Sequence, residues 1–506
     1  MNVLLYITPS PPDAMRIEPR GLPLGPLAIG TYAKHAGHHV KIIDGNVYKS
    51  ISEVTGDGFL PDVLGVSMLT MYGVLVMDQI RKFISDIRTV ADPTVVFGST
   101  GSSVLSEMLL RENVADYVVL GPGEEVFLDL LSALEAGCGV SGVSSLAYLE
   151  DGSYMETPRA ECGGGFGMIL PMDYSLMDVS RYLRYMHDGN KGIDFATSRG
   201  CKYRCTFCFN EFFYGCAYQA RPVPVLISEM KYLIETYGIT SFALQDECFG
   251  SDKAWLHEFC NAIIAELPPH ITWGGQLHGG VLTKEDYTLM LKAGCLALFF
   301  GVESGDPQMS RKIRKGVDLP KLQAEIAMLQ EMGFWIYSAF IVGFPDETRE
   351  QLLRTCEFML SCKSNSFYMS KFYLIPNTKL FEELEERGSI AMPQTLEEFQ
   401  AFLSPKRYRN YSNVPERDLD VVLAFFNFAF RFEFLFKKGV ITHIRSFIQN
   451  RSKGSGQDKR YLFYTLAFMF KTLWHFMAHP LVRRKYGLTF RNFKRQATEL
   501  PSTARK

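Results

Sequence analysis

Apolar positions in the first part of the chain come in short runs separated by longer amphipathic stretches. VLLYI (3–7), HVKIID (39–44), DVLGVSML (62–69), TVVFG (94–98) and DYVVLG (116–121) are rich in branched side chains, while LAIGTYAKHAG (27–37) has helical spacing. Strand and helix in alternation predict a doubly wound, Rossmann-like α/β sheet over residues 1–145. Such sheets bind ligands beyond the carboxyl ends of their strands, where small residues let a ligand approach the backbone. Small residues gather at those ends here: Ser67 and Thr70, then GSTGSS with Gly98 and Gly101, then GPGEE with Gly121 and Glu124.

The rhythm breaks over GSYMETPRAECGGGFG (152–167), whose glycine and polar content predicts a linker, drawn over 146–185. It resumes at Asp194 with DFATS, SFALQD, ITWGGQ, ALFFGVES, WIYSAFIVGF and FYMSKFYLI, separated by helix-length segments such as PVLISEMKYLIETYG. Repeated β-α units of this number predict a partial (β/α)6, TIM-like barrel over 186–400, with its site at the strand carboxyl ends. After about residue 395 the strand signals stop, and residues 401–506 read as a helical, aromatic-rich and finally basic region.

A chain of 506 residues suits two or three domains, and 47% apolar with 21% charged residues is a globular composition that excludes disordered, coiled-coil and collagen-like classes. The net charge of -2 hides an uneven distribution, because residues 437–506 hold 16 Lys or Arg against only Asp458 and Glu499. LAFFNFAFRFEFLFKK and YLFYTLAFMFKTLWHFMAHPLVRRKYG are expected either as a helical cap over the barrel mouth or as an interfacial face. In the second reading Lys437, Lys438, Arg483, Arg484 and Lys485 meet anionic lipid. No nucleic-acid reader accompanies the charge. MNVLLYITPS lacks signal-peptide features, and no uncharged apolar run reaches bilayer length. The expectation is a cytoplasmic protein, peripheral at the membrane if the interfacial reading holds.

Eleven cysteines are too few for a disulfide scaffold. Three of them, Cys201, Cys205 and Cys208, fall in TSRGCKYRCTFCFN directly after a predicted strand. Thiolates are the usual ligands of iron–sulfur clusters, and a [4Fe-4S] cube ordinarily takes four, so three leave one iron open to a substrate. A structural zinc would need a fourth Cys or His, and neither Cys216 nor His187 has suitable spacing. The other eight cysteines read as small buried apolar residues.

The cysteine motif resembles the signature of the radical S-adenosylmethionine (radical SAM) superfamily, and the resemblance runs from about 194 to 400. It implies that S-adenosylmethionine chelates the open iron through its amino and carboxylate groups. An electron from the reduced cluster, delivered by a partner such as flavodoxin or ferredoxin, then splits the sulfonium to a 5'-deoxyadenosyl radical. Carried over by position, Cys201, Cys205 and Cys208 are the ligands and Phe207 lies near the adenine. Asp246 and Glu247 of QDECF serve the methionyl amine, Glu303 of GVES accepts from the ribose hydroxyls, and Ile341 and Gly343 of SAFIVGFPDET line the adenine. FYLIPNTKLF resembles the sixth-strand ending, with Asn377 in place of the usual glycine; asparagine also tolerates a left-handed turn. The third strand departs from the pattern. Instead of an arginine it offers Gln276, which can bond the methionyl carboxylate without charge assistance, and His278, either a proton donor or a satisfied polar residue.

PLGPLAIGTYAKHAGHHVKIID and the small-residue strand ends resemble the cobalamin-binding domain fused ahead of many radical enzymes. A corrin is then expected against Ser67, Thr70, Gly98, Gly101, Gly121 and Glu124. The Asp-x-His-x-x-Gly motif that supplies a lower cobalt ligand elsewhere is absent from PSPPDAMRIEPRG (9–21), a departure that favours delivery of a methyl group. No G-x-G-x-x-G follows the first strand, which argues against a dinucleotide.

Together the resemblances imply a class B-like methylase. The deoxyadenosyl radical abstracts hydrogen from an unactivated carbon, and the substrate radical takes a methyl group from methylcobalamin. A radical oxidative cyclase or rearrangement enzyme of lipid, tetrapyrrole or natural-product biosynthesis is the alternative, and an iron–sulfur electron carrier or sensor is the non-enzymatic one. The substrate is expected to be a small or lipid-like molecule.

Overall fold

The computed structural model describes residues 1–11, 21–159, 170–186, 189–215, 217–404 and 408–436, with side chains of the last helix through 426. The basic residues Lys437, Lys438, Arg483, Arg484 and Lys485 lie outside the described residues, as do Cys162, His187 and Cys216.

The N-terminal sheet contains β1 (Asn2–Ile7), β2 (His39–Asp44), β3 (Val63–Ser67), β4 (Thr94–Gly98) and β5 (Tyr117–Val119), all parallel, in the order β2-β1-β3-β4-β5. Successive side chains point to opposite faces of a strand. Val3 and Leu5 therefore join Val63, Val96 and Val119 in one buried layer under helix Glu124–Ala136, while Leu4 and Tyr6 join Leu64, Val66 and Phe97 in a second layer under helix Met77–Arg88. Burial on both faces is the doubly wound arrangement expected from the sequence.

Two parts of this domain depart from the sequence expectation. Residues drawn into the linker form β6 (Leu146–Glu150) and β7 (Ser153–Glu156), an antiparallel hairpin that extends the sheet beyond β5. AYLE and SYME alternate apolar and polar residues as an edge hairpin does, and Asp151 and Gly152 between them take the positive φ a tight turn needs. Helix Leu396–Leu403, far along the chain, completes the second layer of the N-terminal core with Leu396, Phe399 and Leu403. Each of these side chains stabilises by ~1.5–3 kcal/mol on burial, and Leu396 N–H donates to Glu112 Oε1 at 2.7 Å.

The second sheet contains β8 (Arg184–Tyr185), β9 (Lys191–Phe195), β12 (Ser241–Leu244), β13 (Thr272–Leu277), β14 (Cys295–Glu303), β15 (Trp335–Val342) and β16 (Ser366–Lys371). From β9 to β16 the neighbours run parallel and in sequence order, with β8 antiparallel at one edge. Between β9 and β12 a separate antiparallel pair, β10 (Ser198–Gly200) and β11 (Tyr218–Ala220), brackets the three cysteines. Leu298, Phe300, Val302, Ile336, Phe340 and Val342 pack outward against the helices. The connecting helices start on side-chain caps, Asp252 before Lys253–Glu266 and Thr283 and Thr348 in capping boxes.

The second half of the expected linker is pinned to this barrel rather than free. Met172 N–H and the Tyr174 hydroxyl donate to Glu229, at 2.8 and 3.2 Å, and Arg221 forms a buried ion pair with the same carboxylate. Helix Glu416–Phe436 packs Leu419, Val422 and Phe425 into the barrel core.

Candidate functional site

The cysteine loop leaves β10 at Gly200, whose φ of 75° turns the chain toward Cys201. Asn210 closes the loop by donating from Nδ2 to the carbonyls of Cys201 (2.6 Å) and Tyr203 (3.2 Å), and Cys208 N–H bonds the Cys205 carbonyl at 3.0 Å. Thr206, midway, fastens the loop to two distant helix ends through the Ile313 carbonyl (3.0 Å), which caps helix Pro307–Lys312, and Leu380 N–H (2.9 Å) in the first turn of helix Lys379–Glu386. All three cysteines are free thiols, partly accessible, on one rigid loop at the carboxyl end of β9. Among the described residues no three His, Cys, Asp or Glu side chains converge on one metal-ion position.

Cys248 was read as a scattered thiol, yet it lies against Cys201, and their hydrogen bond together with burial holds the Cys201 thiol above its ordinary range. Of the remaining scattered cysteines, Cys260, Cys295, Cys356 and Cys362 are buried as expected, whereas Cys138 is exposed.

Asp246 and Glu247, adjacent in sequence, have separate tasks. Asp246 is buried and accepts from Thr197 N–H at 2.8 Å and Ser198 Oγ at 2.5 Å, with Thr197 Oγ1 as a third donor, so it fastens the turn before the cysteine loop. Burial, outweighing these donors, pushes its carboxyl up to about 6. Glu247 reaches the loop itself, accepting from Gly200 N–H at 3.0 Å and from the Tyr214 hydroxyl at 2.8 Å.

Gln276 is half-buried beside this group and donates to the Glu247 carbonyl at 3.3 Å. His278 is stacked on Tyr203 with ring centroids 3.6 Å apart, and its two ring nitrogens meet the carbonyls of Gly279 and Lys315. Burial, then the Lys315 charge, push it down to about 4, so at neutral pH the ring is uncharged and donates to one of the two carbonyls.

Glu303 closes β14 at a break in register, with φ of 65°, a left-handed conformation that a non-glycine residue keeps only where its surroundings impose it. Its carboxylate pairs with Lys315 at 3.2 Å, both largely buried. Burial alone would lower the lysine, but the Glu303 carboxylate beside it outweighs this and raises its pKa. Lys315 is the residue that sequence reasoning missed: RKIRKGVD holds four basic residues, and nothing in that string marks the one that turns inward.

Phe207 meets Phe344 edge to face at 5.5 Å, beside the end of β15. Ile341 is half-buried there. Gly343 has φ of 85°, and a Cβ on it would stand 3.0 Å from Leu419 and 3.1 Å from the Tyr408 hydroxyl, so its α-carbon face is covered by the C-terminal part of the chain. Glu347 accepts from Gly343 N–H at 2.6 Å and is fully buried, its Oε1 without a partner. Asn377 takes φ of 60°, the left-handed turn its residue type was expected to tolerate.

The N-terminal candidates divide. At the ends of β3 and β4, Ser67 is half-buried, Thr70 is exposed, Leu69 is 72% exposed, and a Cβ on Gly98 would meet only Val119, at 4.0 Å. These make an open ledge of the kind a large planar ligand requires. Gly101 does not belong to it, because a Cβ there would strike the Thr70 carbonyl at 2.3 Å; that glycine lets helix Thr100–Val104 seat against residues 68–70. Gly121, with φ of 95°, abuts the Phe213 carbonyl just beyond the cysteine loop. Glu124 is buried and forms an ion pair with Arg199 of β10. Its second oxygen, Oε2, has no partner.

Comparison with known proteins places these two sites in a context. Residues 195–359 match the Radical SAM superfamily and residues 14–131 the B12 binding domain. An uncharacterized methyltransferase, PH0819, of Pyrococcus horikoshii is 28% identical over 395 residues, 76% of this chain and 83% of that protein. The anaerobic magnesium-protoporphyrin IX monomethyl ester cyclase of Synechocystis is 26% identical over 414 residues, 78% of this chain and 79% of that one. Among solved structures, the radical S-adenosylmethionine methyltransferase TsrM of Kitasatospora setae, with cobalamin and a [4Fe-4S] cluster bound, aligns with TM-score 0.67 at 18% identity. That alignment covers 81% of this chain and 86% of TsrM. OxsB, a cobalamin-dependent S-adenosylmethionine radical enzyme, aligns with TM-score 0.66 at 16% identity over 95% of this chain and 72% of OxsB.

Proposed function

Because the chain belongs to the radical SAM superfamily and carries a B12 binding domain ahead of its radical SAM domain, we propose that it methylates an unactivated carbon of a small-molecule substrate, with Cys201, Cys205 and Cys208 as ligands of its [4Fe-4S] cluster. The observation that carries the reading is the cysteine loop, three accessible thiols held by Asn210 and Thr206 and faced by the buried Lys315–Glu303 pair. In a cube each thiolate takes its own iron, which suits thiols spread along a loop rather than gathered on one ion. When bound, the cluster supplies the electron that splits S-adenosylmethionine and cobalamin supplies the methyl group.

The chain's own residues bind and orient. Lys315 provides the buried positive charge for the methionyl carboxylate that Gln276 lacks, and Gln276 adds a neutral hydrogen bond. Glu303, released from part of its pairing with Lys315, accepts from the ribose hydroxyls. Phe207 and Ile341 offer apolar contact to the adenine. Asp246 positions the β9–β10 turn, and Glu247 holds Gly200, the residue before the first cysteine. Ser67, Thr70 and Gly98 border the corrin ledge, and the unpartnered Oε2 of Glu124 is an acceptor suited to a corrin amide. A reduced flavodoxin or ferredoxin as electron donor and a peripheral membrane contact through the basic C-terminal residues complete the proposal. No helix of the described residues is long and apolar enough to cross a membrane.

The relatives named above include a cyclase as well as a methyltransferase, and oxidative cyclisation is the second reading. Anaerobic reconstitution with iron, sulfide and cobalamin, followed by S-adenosylmethionine and dithionite, tests the proposal. Deoxyadenosine together with stoichiometric corrin supports it; deoxyadenosine without corrin overturns methyl transfer, and the absence of both overturns the radical enzyme.

A further inference from the structure

A buried ion pair crosses the junction between the two domains, and the reading above gives its arginine no part. Glu124 opens helix Glu124–Ala136 at the carboxyl end of β5, and Arg199 lies in β10, two residues before Cys201. Their ion pair is 75 residues apart in sequence, with the Glu124 side chain 1% and the Arg199 side chain 16% exposed. Arg199 also faces the carboxylate of Glu247, and Glu247 accepts from Gly200 N–H at 3.0 Å. The backbone meets at the same place, where Gly121 stands against the Phe213 carbonyl of the helix that closes the cysteine loop. A buried ion pair between a carboxylate of one domain and a guanidinium of the other fixes their relative placement, because moving either one leaves a buried charge uncompensated.

Resting on the cobalamin reading, we infer that Glu124 and Arg199 couple corrin binding in the N-terminal domain to the geometry of the cluster loop, with Arg199 as a positioning residue. One oxygen of Glu124 holds Arg199, and the other is buried without a hydrogen-bond partner among the described residues. A corrin amide that donates to Oε2 orients the carboxylate, the carboxylate orients Arg199, and Arg199 with Glu247 sets Gly200 and hence Cys201. Linkage is reciprocal, so an ordered cluster loop must tighten corrin binding by the same factor that corrin stabilises the loop.

The test measures corrin affinity, not turnover. Aquacobalamin is titrated by absorbance into the full chain, anaerobically, with and without the reconstituted cluster. The coupled protein binds corrin at least about 5-fold more tightly with the cluster, the lower bound for a coupled pair of sites. In Glu124→Gln, with iron content unchanged, that ratio falls to within about twofold of one, while Arg199→Lys, which keeps the charge, retains most of it. Equal affinities with and without cluster in the native sequence, or a full ratio in Glu124→Gln, overturns the inference and leaves the cobalamin reading standing. Failure of both forms to bind corrin overturns the two together. Arg199→Gln combined with Glu124→Gln removes both charges, so a folded double variant that keeps its iron and still shows the native ratio also overturns it.

Discussion

Lys315 Nζ lies 3.2 Å from Glu303 Oε1, inside the barrel and facing the cysteine loop. Neither residue neighbours the cysteines in sequence. The pair sets a charged wall opposite the proposed open iron.

Removing the Lys315 charge tests its proposed role. The single variant leaves Glu303 buried and unpaired at a cost of ~3–5 kcal/mol, so the informative protein is Lys315→Gln with Glu303→Gln. A charge-assisted hydrogen bond contributes ~1.5–3 kcal/mol, which corresponds to a loss of ~10–150-fold in S-adenosylmethionine affinity. Equilibrium dialysis against the cofactor, with iron quantified in parallel, checks this; unchanged affinity removes Lys315 from the site.

Cys205→Ala should abolish both the visible absorbance of the iron–sulfur cluster and deoxyadenosine formation. Full retention of cleavage would sink the ligand assignment. Cys248→Ala, by contrast, should keep the iron, since Cys248 is buried outside the three-cysteine loop and bonds Cys201 from beside it.

Glu347 gives a pH dependence. Burial raises its carboxyl from 4.5 to about 7, against the pull of the Gly343 and Phe344 N–H groups. A folded pKa above the unfolded one means that the protonated form is the stabilising one: its contribution is full below about 4.5 and is lost as pH rises through about 7. The loss approaches ~3 kcal/mol at high pH, as an upper bound. Glu347→Gln should therefore be more stable than the native sequence at pH ~8 and similar to it at pH ~4.5, read from urea unfolding at the two values. A constant difference across that range would mean Glu347 does not titrate as described.

Asn377 occupies a left-handed turn at φ 60°. Asn377→Gly should leave the midpoint of thermal unfolding almost unmoved, while Asn377→Val should cost ~1–2 kcal/mol from the Cβ clash of a branched residue. Equal stability of the two variants would show that the turn relaxes.

The strands and the cysteine loop were legible because each is encoded locally, by branched residues in short runs and by three thiols within eight residues. Asn377 was legible for the same reason. What escaped depends on separations that a single sequence does not reveal. Lys315 looks like its neighbours Arg311, Lys312 and Arg314 until β14 and the following loop carry it inward. Glu124 was assigned wholly to a ligand because its partner, Arg199, sits on another domain. Gly101 looked like a ligand contact, whereas packing against Thr70 accounts for it. The hairpin β6–β7 was absorbed into a linker because its glycine-rich surroundings outweighed a short alternating pattern.

Helix Leu396–Leu403 belongs by packing to a core whose strands were finished at residue 156. Leu396 and its hydrogen-bond partner Glu112 are 284 residues apart. On a ribosome adding ~5–20 residues per second, the N-terminal half then waits roughly 15–60 s with an apolar socket open to solvent. A fragment ending near residue 145 would keep that socket permanently, so the first domain is a poor candidate for study in isolation. During synthesis the same surface is a natural point of engagement for a holding chaperone, until the far end of the chain arrives to close it.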